Sequence, residues 1–191
     1  MNRFTWSTID GLIKGVRNKK TTIVEGISGY RKCQVSMDVD VGVGTGTPDP
    51  GFDIQVNLNR PTFRDGEILE VSLSPSQPMY INVFQFLPYM LGDKQVVRIF
   101  PNQFDKDQFF KKKGTIPTQK GRKLYDMAVA FPKEVKKTTT LVDEYLMVLG
   151  TRKPISFRDA YSREDFNARI LEISRQDRRI IRRAYNVVRP K

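Results

Sequence analysis

Tyr80-Ile81-Asn82-Val83-Phe84-Gln85-Phe86 and Val96-Val97-Arg98-Ile99-Phe100 are two β-branched and aromatic runs, separated by a connection containing Leu91-Gly92-Asp93-Lys94. Such residues suit a pleated, half-buried surface. Gly-Asp suits a chain reversal, and Pro101 cannot continue a ladder because it has no N–H. The pair predicts a central antiparallel hairpin. Behind it, a charged and aromatic loop runs from Asn102 to Gly114-Thr115-Ile116-Pro117.

The same period of two recurs outward from this hairpin. Phe52, Ile54, Val56 and Leu58 alternate with polar residues and predict a strand. Pro61 and the turn Arg64-Asp65-Gly66-Glu67 follow, Asp-Gly being a strong turn dipeptide. Leu69, Val71 and Leu73 predict the next strand, closed by Pro75 and Pro78. Tyr145, Met147 and Leu149 predict another over residues 143–150. Short strands separated by regular turn signals point to a mainly β fold, an antiparallel Ig-like β-sandwich. One C-terminal helix is expected over residues 163–174. Ser162 is its N-cap, Glu164 and Asp165 lie in its first turn, and Phe166, Ile170 and Ile173 form its apolar stripe. Residues 179–188 read as a last strand or a second helix, with Tyr185-Asn186-Val187-Val188 favouring the strand.

The first 45 residues look different. Ile9, Leu12, Ile13 and Val16 fall at helical spacing, with Ser7 or Thr8 as cap and Arg17-Asn18-Lys19-Lys20 at the end, which predicts a short helix. Over residues 29–43 Cys33, Val35, Met37, Val39, Val41 and Val43 alternate with polar side chains, the cleanest strand signal in the chain. It should have one dry face, carrying a buried and inert Cys33, and one wet face carrying Asp38 and Asp40. Residues 42–51 are rich in Gly and Pro. No Lys-Ser/Thr or helix follows them, so a flexible connection fits better than a phosphate loop. The expected organisation is an N-terminal helix/strand extension at 1–45, or the remnant of a preceding domain, and a β-sandwich domain at 52–191.

Composition narrows the chemistry. The 191 residues can hold one sizeable core, and 39% hydrophobic with 28% charged residues fits a soluble globular protein. No run approaches the roughly 20 apolar residues that span a bilayer. The opening Met1-Asn2-Arg3-Phe4-Thr5-Trp6 has no uninterrupted apolar segment of the signal-peptide kind. There is no histidine, and Cys33 stands alone. That removes Ser-His and Cys-His nucleophile pairs, the usual zinc sites and any internal disulfide. Net charge is +12, and residues 152–191 carry 12 Lys and Arg against 5 Asp and Glu. Residues 106–123 hold a second basic concentration. Such asymmetry suits an acidic partner: a protein, an acidic polymer, an anionic surface or nucleic acid.

The order of motifs from Phe52 to Val188 resembles a bacterial family known as domain of unknown function 4384. The likeness is carried by Arg64-Asp65-Gly66-Glu67 and its following strand, by Tyr80-Ile81-Asn82-Val83-Phe84, and by Val97-Arg98-Ile99-Phe100-Pro101-Asn102. Gly114-Thr115-Ile116-Pro117 and Leu146-Met147-Val148-Leu149-Gly150-Thr151 with Pro154-Ile155 complete it. It covers about 135 residues. Residues 86–90 depart from it, adding apolar residues where the family has a short polar turn. The resemblance implies a non-catalytic, β-rich accessory module of bacterial cell-envelope lipoproteins. It would be periplasmic or associated with the outer membrane if the chain is a fragment of an exported precursor. It supplies no catalytic residues, and Phe100, Pro101 and Asn102 would be structural.

The partner-binding candidates are two. Lys111-Lys112-Lys113 stand beside Phe109 and Phe110, which either bind a partner with the lysines or anchor the loop in the core. Arg178, Arg179, Arg182 and Arg183 form one basic face in a helix and split across both faces in a strand. The preferred reading is a binding or assembly module that docks on proteins through a sheet edge and basic loops, without catalytic, cofactor or metal residues. The alternatives are nucleic-acid binding through the basic patches and, third, a hydrolase built on Asp38/Asp40 or Asp105/Asp107.

Overall fold

The structure is a computed structural model and describes residues 11–25 and 31–190. Among these residues it is mainly β, with several antiparallel sheets and one α-helix, as the alternation in the sequence leads one to expect. The first two strands, β1 (Gly11–Glu25) and β2 (Arg31–Val43), pair only with each other among the described residues. The next strands are β3 (Ile54–Leu58), β4 (Thr62–Arg64), β5 (Val71–Pro75), β6 (Met79–Phe86) and β7 (Val96–Phe100). After them come β8 (Phe109–Phe110), β9 (Gly114–Ile116), β10 (Leu141–Thr151), β11 (Ala160–Tyr161), α1 (Arg163–Leu171) and β12 (Arg178–Val188).

The large sheet has the order β11-β7-β6-β10-β12-β4, and β8 extends the edge of β6 beyond β7. The hairpin β6–β7 therefore sits inside it, as its apolar content requires. Its pairs are antiparallel except β12 with β4, where Asn186, Val187 and Val188 run parallel to Thr62, Phe63 and Arg64. A smaller antiparallel sheet, β3-β5-β9, packs on one face. Between the two sheets lies the main core, including Phe52, Val56, Phe63, Val71, Ile81, Val83, Phe100, Ile116, Leu146 and Val187, all at most 1% exposed.

The opposite face of the large sheet is covered too. Phe84, Phe86, Tyr145, Met147 and Leu149 meet Phe157, Phe166, Ile170 and Ile173 in a second core beneath α1. Phe84 lies edge-on to Phe157 and Phe166, with centroids 5.2 and 4.7 Å apart. Burying an aromatic or large aliphatic side chain contributes about 1.5–3 kcal/mol, so Phe166 and Ile170 help to hold this short helix on the sheet. Coverage on both faces explains why Tyr145-Leu146-Met147-Val148-Leu149 is continuously apolar: every residue from Glu144 to Thr151 is buried.

Ser162 caps α1, its hydroxyl accepting from the Asp165 amide at 3.1 Å. The helix ends at Leu171, three residues before the expected stop, while Ile173 remains buried in the following turn. Residues 178–188 are a strand, in register with all of β10.

The N-terminal expectation is corrected. Ser7, Thr8 and Ile9 lie outside the described residues, but Leu12, Ile13 and Val16 belong to a strand, not a helix. β1 carries one register irregularity between Ile13 and Gly15 and another between Arg17 and Lys20. An extra residue in one strand moves the following side chains to the other face. Ile13 pairs with Val41 and Val16 with Val39, so a spacing of three puts both on one face of a bulged strand. The same spacing mimics a helix when read as sequence.

Candidate functional site

The four arginines of β12 are distributed by the strand over both faces. Arg179 and Arg183 turn toward the small sheet: Arg179 pairs with Asp53 at 2.8 Å, and Arg183 Nε donates to the Val56 carbonyl at 2.8 Å. They thereby occupy the edge of β3 that β5 leaves free, a common way of blunting an exposed edge. Arg178 and Arg182 turn toward α1. Arg178 donates to the Ile170 carbonyl at the helix C-terminus, where a cation is favoured. Burial, and for Arg178 also the neighbouring Arg175, holds both guanidinium groups below their ordinary pKa. The structure does not bring the four side chains into one basic face.

In the loop after β7, Phe110 is 9% exposed and belongs to the main core, edge-on to Phe100 at 6.0 Å. Gly114 makes room for it, since a Cβ there would stand 2.7 Å from the Phe110 ring. Phe110 thus anchors the loop in the core. Phe109, 38% exposed, rests on Tyr80 with centroids 4.8 Å apart, and Lys111 Nζ stands 5.9 Å from its ring. Lys112 and Lys113 are exposed. Tyr80, Phe109 and Lys111 make a small aromatic and cationic patch at the sheet margin.

The carboxylates are accounted for locally. Asp40 pairs with Arg17 at 2.6 Å, and Asp38 accepts from Asn18 Nδ2 at 2.7 Å. Asn18 sits at φ 51° in the second irregularity of β1, a left-handed position that Asn tolerates. Asp105 is buried and accepts from the Thr118 amide at 2.8 Å and hydroxyl at 2.7 Å, while exposed Asp107 caps the Phe109 amide at 3.3 Å. Among the described residues no group of three or more Asp, Glu or Cys is placed to hold a metal ion, and no helix is long and apolar enough to cross a membrane.

The ribbon of β1 and β2 holds the largest surprise. The expected dry face of β2 is not buried. Val35, Met37, Val39 and Val41 are 42–50% exposed, Val43 is 67% exposed, and Cys33 is also exposed. Cross-strand partners share a face, so Ile13, Val16 and Ile23 join this apolar strip from β1. The other face docks at its base on the body. Leu12 packs into the second core, Gly42 is buried against Leu171, and the Ile13 carbonyl accepts from Asn167 Nδ2 at 2.7 Å. The apolar strip consequently points away from the protein. The alternation in β2 was legible as a strand, but a period of two does not say what covers the dry side.

A second feature escapes the sequence reading. Glu144 on β10 is 1% exposed and points into the gap between the sheets. Oε2 accepts from Gln85 Nε2 at 2.7 Å and the Tyr185 hydroxyl at 2.5 Å, and Oε1 accepts from the Tyr89 hydroxyl at 2.5 Å. Burial first, then Glu144, pushes the Tyr89 and Tyr185 hydroxyls well above the ordinary range, so both remain donors. The network lies at the floor of a cleft of about 630 Å³. The only hint in the sequence was one acid flanking an apolar run, together with the apolar segment at 86–90 that supplies Tyr89.

No protein-family model, curated protein or solved structure matches the chain.

Proposed function

We propose that this protein is a non-catalytic binding and assembly module whose docking element is the β1–β2 ribbon. The observation that carries the reading is the outward apolar strip from Ile23 and Cys33 to Val43. Contiguous exposed apolar surface of this kind marks interaction sites. A two-stranded ribbon buries too little to stand alone in water, so a partner laid across the strip also steadies it. The occupant we assign is a partner protein presenting an apolar sheet or helix face with an acidic rim. The rim is called for by the net charge of +12, which would steer the encounter. A bacterial envelope setting for such a partner is part of the same proposal and rests on the order of motifs in residues 52–188 alone.

Site-specific photo-crosslinking in cells tests this. A benzophenone side chain placed at Val39 is expected to capture one discrete protein, whereas the same group at Gln34, on the opposite face, captures none. Equal labelling from the two positions, or none from Val39, overturns the proposal.

A further inference from the structure

Independently of the ribbon, the geometry points to the Glu144 cleft as a binding site for an organic cation, a guanidinium or alkylammonium group on an apolar stem. Glu144 is the starting point. Its three partners, Gln85, Tyr89 and Tyr185, are all neutral donors. Among the described residues no Lys or Arg forms an ion pair with it. A buried carboxylate without a counter-charge is costly even when hydrogen-bonded. A carboxylate also offers about four acceptor sites. Oε2 uses two, and Oε1 uses one, for Tyr89, which leaves one acceptor site on Oε1 next to Tyr89.

The cleft around it matches a cation in two further ways. Asp126 and Glu134 line it along with Glu144, against Lys133 in the lining and Arg189 stacked on Phe131, so it stays a net acidic recess on a strongly basic protein. Tyr89 and the stacked pair Phe104 and Tyr125 supply aromatic rings, and the faces of such rings attract cations, while Phe131 already carries Arg189 at 4.4 Å from its centroid. Burial lifts the Tyr125 hydroxyl to about 12, so this ring too stays neutral. Leu87 and Met90 offer apolar contact for the stem. Leu87, Tyr89 and Met90 all come from the connection after β6.

The same head group occurs on an Arg or Lys side chain of a partner protein and on a free small amine. The test uses butylguanidinium and its neutral isostere butylurea, titrated into the full chain by ligand-observed NMR. Butylguanidinium is expected to bind at least about tenfold more tightly, a difference of roughly 1.4 kcal/mol. Glu144→Gln is expected to abolish that difference, with the fold checked by circular dichroism. Should Glu144→Gln fail to fold, Asp126→Asn with Glu134→Gln at the cleft is expected to lower butylguanidinium affinity about two- to fivefold and leave butylurea unchanged, in line with screened surface charges. A capped Gly-Arg-Gly peptide separates the sources: tighter binding than butylguanidinium assigns the site to a protein side chain, weaker binding to a free amine. Equal affinity for butylguanidinium and butylurea, or saturation by neither at millimolar concentration, overturns the inference.

Discussion

Two buried acids in this protein have opposite surroundings, and the difference separates a structural residue from a candidate site. Asp105 is closed in by its own loop. Thr118 donates to it twice, Asn102 Oδ1 caps the amides of Phe104 and Asp105 at 2.9 Å, and the Asp105 carbonyl accepts from the Asn102 amide at 3.0 Å. Gly121 is part of the fit, since a Cβ there would stand 2.3 Å from Asp105 Oδ2. Glu144 instead borders open space. Asp105→Ala leaves the Thr118 donors without their acceptor, and hydrogen bonds to a charged group contribute about 1.5–3 kcal/mol each. A loss of about 2–4 kcal/mol in urea unfolding is expected, with Asp107→Ala next to it changing stability by less than about 0.5 kcal/mol. Similar losses at the two positions would show that Asp105 does not anchor the loop.

At the scale of elements, the helix and the ribbon show what a sequence can and cannot disclose. The start of α1 was legible because its signal is local: Ser162 followed by Glu164 and Asp165 reads as a cap without knowledge of anything distant. Ser162→Ala is therefore expected to cost about 1 kcal/mol in thermal or urea unfolding, and Ser162→Asp to restore most of it. No change on removing the hydroxyl would mean that the packing of Phe166 and Ile170 alone fixes the helix start. β3, β5, β6, β7 and β10 were legible for a similar reason, their alternation or apolar continuity being contained within each segment. β1 was not. Its bulges shift the period from two to three, and only pairing with β2 reveals them. The parallel pairing of β4 with β12 unites residues more than a hundred positions apart, and β8 and β9 are too short to carry a pattern. The candidate sites fared likewise. The arginines of β12 are visible as a charge cluster, but their allocation to the β3 edge and the α1 terminus is set by tertiary packing. The Glu144 cleft gathers residues from the turn after β6, the loop before β10, β10 itself and β12, so no window of sequence contains it.

Across the whole molecule, the layers bury polar tips along with apolar bodies, and this ties stability to pH. Tyr89, Tyr125, Tyr145 and Tyr185 all have hydroxyls pushed above the ordinary value near 10, burial being the largest cause in each. The protonated phenol is the neutral form, so the folded state favours keeping the proton. The resulting stability is fully present below the unfolded pKa of about 10 and is lost as pH rises through the folded values. Arg178 and Arg182, lowered by burial, have the opposite sign, but guanidinium groups stay charged throughout this window. General charge repulsion does not mimic the tyrosine effect, because it is smallest near the isoelectric point of about 9.9, where the alkaline limb begins. Unfolding is therefore expected to set in above pH 10. Absorbance at 295 nm, which reports phenolate, should rise for the buried tyrosines together with the loss of far-UV ellipticity and not before it. Tyr89→Phe with Tyr185→Phe should move the alkaline midpoint upward while lowering stability at neutral pH, because the Glu144 oxygens lose two donors. Phenolate formation by every tyrosine in a protein that keeps its ellipticity would show that these hydroxyls are not enclosed by the fold.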